Sequence, residues 1–264
     1  VTVLAPVTGT GVVSRINPVA KLLAAVVLSL SLLLSIDWVS AGVALALEAV
    51  LLGWSGLTAG QFWRRTLPLW IASPAAVVAT SLYGQDGGAT LWRLGFVTVT
   101  EGSVALAFAI GLRVLAVGIP GIVLFATTDP TDLADGLGQV LRLPARFVLG
   151  GLAGIRLVGL FLDDWRQLGL ARRARGVADS GGPIGALRRF AGMAFALLVL
   201  SVRRGSKLAT AMEAKGFGSD APRTWARPSR FGRREVLLVL VGVVIAAVSI
   251  TVAVGAGTWR FVLA

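Results

Sequence analysis

The sequence predicts an all-α membrane protein of about five transmembrane helices plus a region of amphipathic helices, two of them long. Three observations predict it. The 264 residues are 56% hydrophobic and only 14% charged, with a mean hydropathy of +0.82, where a soluble domain carries roughly a quarter charged residues. Apolar runs recur at lengths suited to crossing a bilayer, which takes about 20 residues per helix. Charge is segregated: Arg142 to Arg234 holds 18 basic and 5 acidic residues, and the rest of the chain holds 7 and 8. The composition excludes a cytosolic enzyme. With no cysteine and no histidine, it also excludes disulfide scaffolds, thiolate nucleophiles, zinc and haem ligation, and histidine-based catalytic triads.

The elements follow in order. Val19–Ile36 is an apolar run with Lys21 at its start, and Trp38–Gly53 is a second that carries Glu48. Leu67–Tyr83 is a third, with Pro68 and Pro74 inside it; the second and third are marginal in length for a span. Ser103–Ala126 is a fourth, holding Arg113 near its middle, and Val236–Val254 is a fifth. Arg113 inside a span is costly and faces a bundle interior or partner, bonding a backbone carbonyl, Glu101 or Glu48, either as structural support or as a substrate contact. Flanking charges set the orientation. Arg15 and Lys21 precede the first run, Asp37 lies in the next turn, Arg64 and Arg65 separate the second and third, and Asp86, Arg93 and Glu101 separate the third and fourth. With the basic region ahead of the fifth run, alternation places the N-terminus and that region inside and the C-terminus outside. The competing reading of the start, a signal peptide, fits the long segment ahead of the first run less well.

Between the fourth and fifth runs the chain is too polar to span and too apolar to be plain loop. Thr127-Thr128-Asp129-Pro130 starts a helix: Asp129 caps it, Pro130 takes the first helical position, and Asp132 sits in the first turn near the positive dipole end. Leu143-Pro144 ends that helix. Ala145–Arg175 then holds an apolar stripe that includes Leu152, Ile155 and Trp165, and residues 176–183 break it. Ile184–Lys215 repeats the pattern with Leu187, Phe190, Ala194 and Leu197, and Gly216-Phe217-Gly218 ends it. Each long segment would run about 45 Å. The apolar stretch Phe190–Val202 inside the second is too short to span. The resulting division is 1–126, 127–233 and 234–264.

The two long segments end alike. One closes Ala174-Arg175-Gly176, the other Met212-Glu213-Ala214-Lys215-Gly216, 40 residues on. A glycine after a helix is an ordinary cap, and a cation suits the negative dipole end. Two such endings on consecutive amphipathic helices read as two equivalent plugs: a small-residue tip with one cation can enter a groove and meet a carboxylate.

With Thr127-Thr128-Asp129-Pro130, Leu133, Leu137 and Leu143-Pro144, these endings make the chain resemble the transmembrane T component of energy-coupling factor (ECF) transporters. The layout agrees along nearly the whole chain, and the specific motifs fall within about 127–217. The resemblance implies a non-catalytic subunit in the cell membrane, with its coupling helices crossed on the cytoplasmic side. It implies two ABC-type ATPase subunits that bind ATP and Mg, and a substrate-binding S component for a vitamin or trace metal. Arg175 and Lys215 would then be docking cations, with Ala174, Gly176, Met212, Glu213, Ala214 and Gly216 around them. Leu152, Ile155, Leu187, Phe190, Ala194 and Leu197 would face the S component. Asp129, Pro130, Pro144 and Arg113 would be structural. One departure is Lys215, where the family usually carries Arg; lysine keeps the charge and loses the planar fork.

Other chemistry is thin. The chain has no G-x-x-x-x-G-K-[ST] loop: Gly205-Ser206-Lys207 lacks the leading glycine, and Gly9-Thr10-Gly11 is an isolated glycine pair. Asp129, Asp132 and Asp135, spaced by three, could gather Mg²⁺ in a stand-alone membrane enzyme or carrier for lipid phosphates or small solutes. Asp163-Asp164 reads either as another such site or as a surface partner of Arg166 or Gln167. The cluster from Arg223 to Arg234 suits lipid headgroups rather than nucleic acid.

Overall fold

A computed structural model describes residues 11, 13–53, 56–84, 87–94, 97–176, 182–217, 224–259 and 261. Among the sequence features above, Gly9, Thr10, Asp86, residues 177–181 of the break, Gly218 and Arg223 lie outside them. The described elements are α1 (Pro18–Leu33), α2 (Trp38–Leu52), α3 (Ala59–Tyr83), β1 (Thr90–Leu94), β2 (Val97–Thr100), α4 (Glu101–Ala126), α5 (Pro130–Gln139), α6 (Ala145–Ala174), α7 (Gly182–Ala214) and α8 (Arg233–Gly255). The fold class is all-α, as the sequence predicts. Five helices, α3, α4, α6, α7 and α8, are long and apolar enough to cross a membrane.

These are not the five runs chosen from sequence. α1 and α2 have only 16 and 15 residues, about 24 Å of helix against a hydrocarbon core of about 30 Å. α3, in contrast, has 25 residues. Thr58 and Gln61 exchange side-chain-to-backbone hydrogen bonds at its start, a capping box that sets the N-terminus eight residues before Leu67. Arg64 and Arg65 therefore lie inside α3 and not in a loop. α6 and α7 are also long and apolar enough; in α7 the run Phe190–Val202 is bounded by Arg188, Arg189, Arg203 and Arg204, and the helix continues with apolar residues beyond them. The antiparallel hairpin β1–β2, Thr90 opposite Thr100 and Leu94 opposite Val97, was not anticipated; its signal is the β-branched alternation Val97-Thr98-Val99-Thr100.

The described chain divides into two compact units, residues 1–136 with 229–264, and residues 137–228. In the first, α4 packs against α1, α2 and α3, and α8 packs against α1 and α2. Its core is built from Leu28, Leu32, Ala41, Ala44, Ala116, Ile245 and Ala246, with a second cluster of Leu115, Ile119 and Val123. Alanines stand between the larger aliphatic residues, because in lipid, helices gain by close backbone approach and not by hiding apolar surface from water. Gly242 shows the closeness: a Cβ there would stand 3.3 Å from the Cα of Ala24. Ser73 donates to the Gly111 carbonyl at 2.9 Å, a polar link between α3 and α4.

Local polar groups close this unit. The Asn17 side chain caps α1, accepting from the Val19 amide at 3.0 Å, and donates to Ser229 Oγ and the Arg230 carbonyl. Asp37 caps α2 through Ser40 N at 2.6 Å. Buried Lys21 donates from Nζ to the carbonyl and hydroxyl of Thr127. Neither carboxylate oxygen of Glu48 has a hydrogen-bond partner among the described residues, and neither do Nε and Nη2 of Arg113. The Arg113–Glu48 pairing is therefore not formed. Glu101, 12 residues away at the start of α4, is about 18 Å along the same helix and beyond reach.

The second unit holds the end of α5, α6, α7 and the segment that follows. α5 begins as expected, with the Thr131 amide on Asp129 Oδ1 at 2.7 Å. It ends at Gln139, before Leu143-Pro144. The chain turns through Arg142, whose φ is +52°, and Pro144 takes the N-cap position of α6. Pro144 thus opens the next helix; it does not terminate the preceding one. Gln139 Nε2 donates to the Arg227 carbonyl at 2.8 Å.

Candidate functional site

α6 and α7 run 30 and 33 residues, about 45 and 50 Å. Their contacts fall on a limited stretch of each. Arg172 donates to the Arg189 carbonyl at 3.2 Å, the ring of Trp165 meets Phe190 edge-on at 5.4 Å, and Arg204 pairs with Asp164. Contacts that descend α6 ascend α7, so the pair is antiparallel, and the end of α6 lies beside the first half of α7. The two ends consequently leave the contact zone in opposite directions.

Both ends have the same conformation. Gly176 has φ +71° and Gly216 φ +75°, the left-handed region that glycine enters at no steric cost. The Gly176 amide bonds the Arg173 carbonyl and the Gly216 amide bonds the Glu213 carbonyl, each at 2.9 Å. At the second end the Phe217 amide also reaches the Met212 carbonyl at 2.9 Å, completing a Schellman motif. The bland reading, a glycine cap, therefore describes the backbone correctly. It also accounts for a cation at the negative dipole end, but not for the repeat of Ala–basic–Gly at both ends. Arg175 and Lys215 are the residues immediately before these glycines, and both are exposed with the flanking Ala174 and Ala214. Neither side chain enters an ion pair among the described residues. Each end is a small-residue tip with an exposed cation just before its glycine, and the α6 end carries exposed Arg173 as well.

The predicted apolar faces are only partly free. Ile155, Leu187 and Phe190 are exposed, whereas Leu152, Ala194 and Leu197 are half-buried. The exposed face of α7 instead continues through Phe195, Leu198, Val199 and Val202. The shift follows from the α6 contact, which turns one flank of the predicted stripe inward: Met193 approaches Gly169.

The acidic candidates separate. Among the described residues no group of three or more Asp or Glu is placed to hold a metal ion, so Asp129, Asp132 and Asp135 do not converge as a set. Asp129 is used as a cap. Asp163 pairs with Arg166 at 3.6 Å on the surface. Its neighbour Asp164 does something the sequence reading missed: it takes Arg204 from the other long helix, Nη1 to Oδ2 at 2.6 Å and Nη2 to Oδ1 at 3.0 Å. The available signal was the 40-residue offset itself, because 164 and 204 differ by the same interval as 175 and 215.

The family model CbiQ, described as "Cobalt transport protein", matches residues 9–225. Curated relatives carry the name "Energy-coupling factor transporter transmembrane protein EcfT". That of Acidaminococcus fermentans is 27% identical over 88% of this chain and 89% of its own. That of Brevibacillus brevis is 26% identical over 96% of each, and that of Limosilactobacillus fermentum 26% identical over 74% of this chain and 78% of its own. With helices able to cross a membrane several times and a family match over most of its length, the chain belongs to the CbiQ family, the EcfT-like T components of energy-coupling factor transporters.

Proposed function

We propose that this chain is the non-catalytic coupling subunit of an ECF-type importer. It relays the stroke of two ABC-type ATPase subunits to a substrate-binding S component for a vitamin or trace metal. ATP and Mg are bound by the ATPases. The observation that carries the reading is the likeness of the two tips: same Ala–basic–Gly pattern, same left-handed glycine, and before each glycine an exposed cation with no ion pair among the described residues. Two like fittings at opposite ends of an antiparallel helix pair suit a pair of related partners.

Each tip contact would be a charge-assisted hydrogen bond of about 1.5–3 kcal/mol, so stable docking depends on both. Small neighbours at 174, 176, 214 and 216 let the helix end approach closely. Lys215 differs from Arg175 in lacking the bidentate fork, which would let the two tips favour non-identical ATPases. The exposed face of α7 around Leu187 and Phe190, with Ile155 on α6, is the surface for the S component. The excess of basic residues from Arg142 to Arg234 supports a cytoplasmic position for this region.

The test is co-expression with both ATPases and the S component, followed by affinity capture and measurement of ATP-dependent uptake. Arg175→Glu is expected to insert normally while losing ATPase capture and uptake by at least tenfold; Lys215→Arg is expected to be tolerated. Normal uptake by Arg175→Glu would remove the docking role from that residue.

A further inference from the structure

The first unit buries one acid that its own fold leaves without a counterpart. Glu48 is 3% exposed, and neither of its oxygens meets a donor among the described residues. The cations of the bundle are committed elsewhere. Lys21 Nζ is held by the Thr127 carbonyl and hydroxyl and by the Ser14 carbonyl, and Asp132 supplies its opposing charge. Asp37 supplies that of Arg113. Among the described residues no cation stands in that relation to Glu48. Buried polar groups are bonded and buried charges are paired, so an exception calls for a missing partner.

The surroundings of Glu48 say what that partner is. Glu48 lines a cavity of about 100 Å³ at the end of the bundle where α1 and α8 begin and α2 and α4 end. Its inner wall is made by buried Ala24, Leu28, Val123 and Leu124, and half-buried Val13, Leu51, Leu52 and Leu238 stand around them. The other polar members, Lys21 and Thr127, are bonded to each other. A buried water takes two to four polar partners, and this wall is aliphatic apart from those three residues. A wholly apolar guest would leave Glu48 unserved. The occupant that fits brings a donor and a positive charge to the carboxylate and lays a carbon stem against the wall. A primary ammonium does this, with three N–H donors and one charge. A quaternary ammonium has the charge and no donor. Arg230, Arg233 and Arg234 beside the start of α8 put this end of the bundle at the level of lipid headgroups.

We propose that this cavity binds a primary ammonium group on a short carbon stem, with Glu48 as its carboxylate acceptor. Two sources carry that chemistry: the ethanolamine headgroup of a bilayer lipid, and a free alkylamine. The site lies outside α6, α7 and their tips, so it stands independently of the docking reading.

The test uses the full chain in lipid nanodiscs. In one arm the bilayer mixes phosphatidylcholine and phosphatidylethanolamine, and the lipid retained by the released chain is weighed by native mass spectrometry. In the other the bilayer is phosphatidylcholine alone, and the melting temperature is followed against n-butylamine, with butan-1-ol and butyltrimethylammonium as controls. A lipid source predicts at least tenfold enrichment of phosphatidylethanolamine on the chain. A free-amine source predicts a rise in melting temperature with butylamine and with neither control. Glu48→Gln keeps the size and removes the charge, and should cut the enrichment at least tenfold and abolish the rise. Ala25→Leu, on the cavity wall, should do the same by filling the space with Glu48 in place. Neither enrichment nor a butylamine-specific rise on the parent chain overturns the site. So does a response that the controls reproduce or that Glu48→Gln retains. Should Glu48→Gln fail to insert, Ala25→Leu decides, and should both fail, the selectivity of the parent chain decides.

Discussion

The two units use the same apolar residues in opposite ways. In the first, α4 and α8 carry rows of buried Ala, Gly and Ser against their neighbours, and the fold is held by its own contacts. In the second, α6 has one buried residue, Val148, and α7 has none, although both carry many large apolar side chains. A helix pair 45–50 Å long covers little of its own apolar surface, and in the function proposed above that surface is the one offered to partner subunits. Burial inside the chain marks what must fold; the exposed apolar faces of the long helices are left to surroundings outside the chain.

That contrast can be broken most severely at Gly242. Gly242→Leu forces a side chain into the backbone of α1 and should cost about 1–3 kcal/mol or more. The melting temperature of the detergent-solubilised chain would fall by several degrees and its membrane level with it. An unchanged melt would show that α1 and α8 are not closely packed and that the units are less different than described. Leu187→Ser sharpens the other side. Leu187 is exposed, so stability should stay within about 0.5 kcal/mol, while capture of the S component drops several-fold. Lost stability with intact capture would reassign this face to the fold. The smallest effect belongs to Asp163→Asn. Its pair with Arg166 is open to solvent on both sides, and surface pairs contribute about 0–1 kcal/mol. Neither the melt nor transport should change.

Asp163 and Asp164 also show how far a sequence can be read. The pairing of Asp163 with Arg166 was legible because residues three apart on one helix are neighbours wherever that helix lies. The pairing of Asp164 with Arg204 was not, because it depends on how two helices cross. The same division runs through the rest. Caps at Asp37, Asp129 and the two glycine ends are local, and each was visible in a few consecutive letters or needed only a short step beyond them. The start of α3 was misplaced by eight residues because the apolar run was weighed and the Thr58–Gln61 box was not. Half of the predicted partner-facing stripe turned out half-buried, since periodicity defines a face but not which flank of it meets the neighbour.

The amino-acid sequence by itself determined the membrane character, the helical class, the basic central region and the twin Ala–basic–Gly tips. Each of these is written in composition or in short-range spacing. Only the tertiary structure decided that Glu48 and Arg113 remain apart, that the three aspartates do not converge, and that the long helices are tied at equivalent residues. Such facts depend on contacts between segments distant in sequence, and the geometry of those contacts comes from packing, which no local pattern encodes.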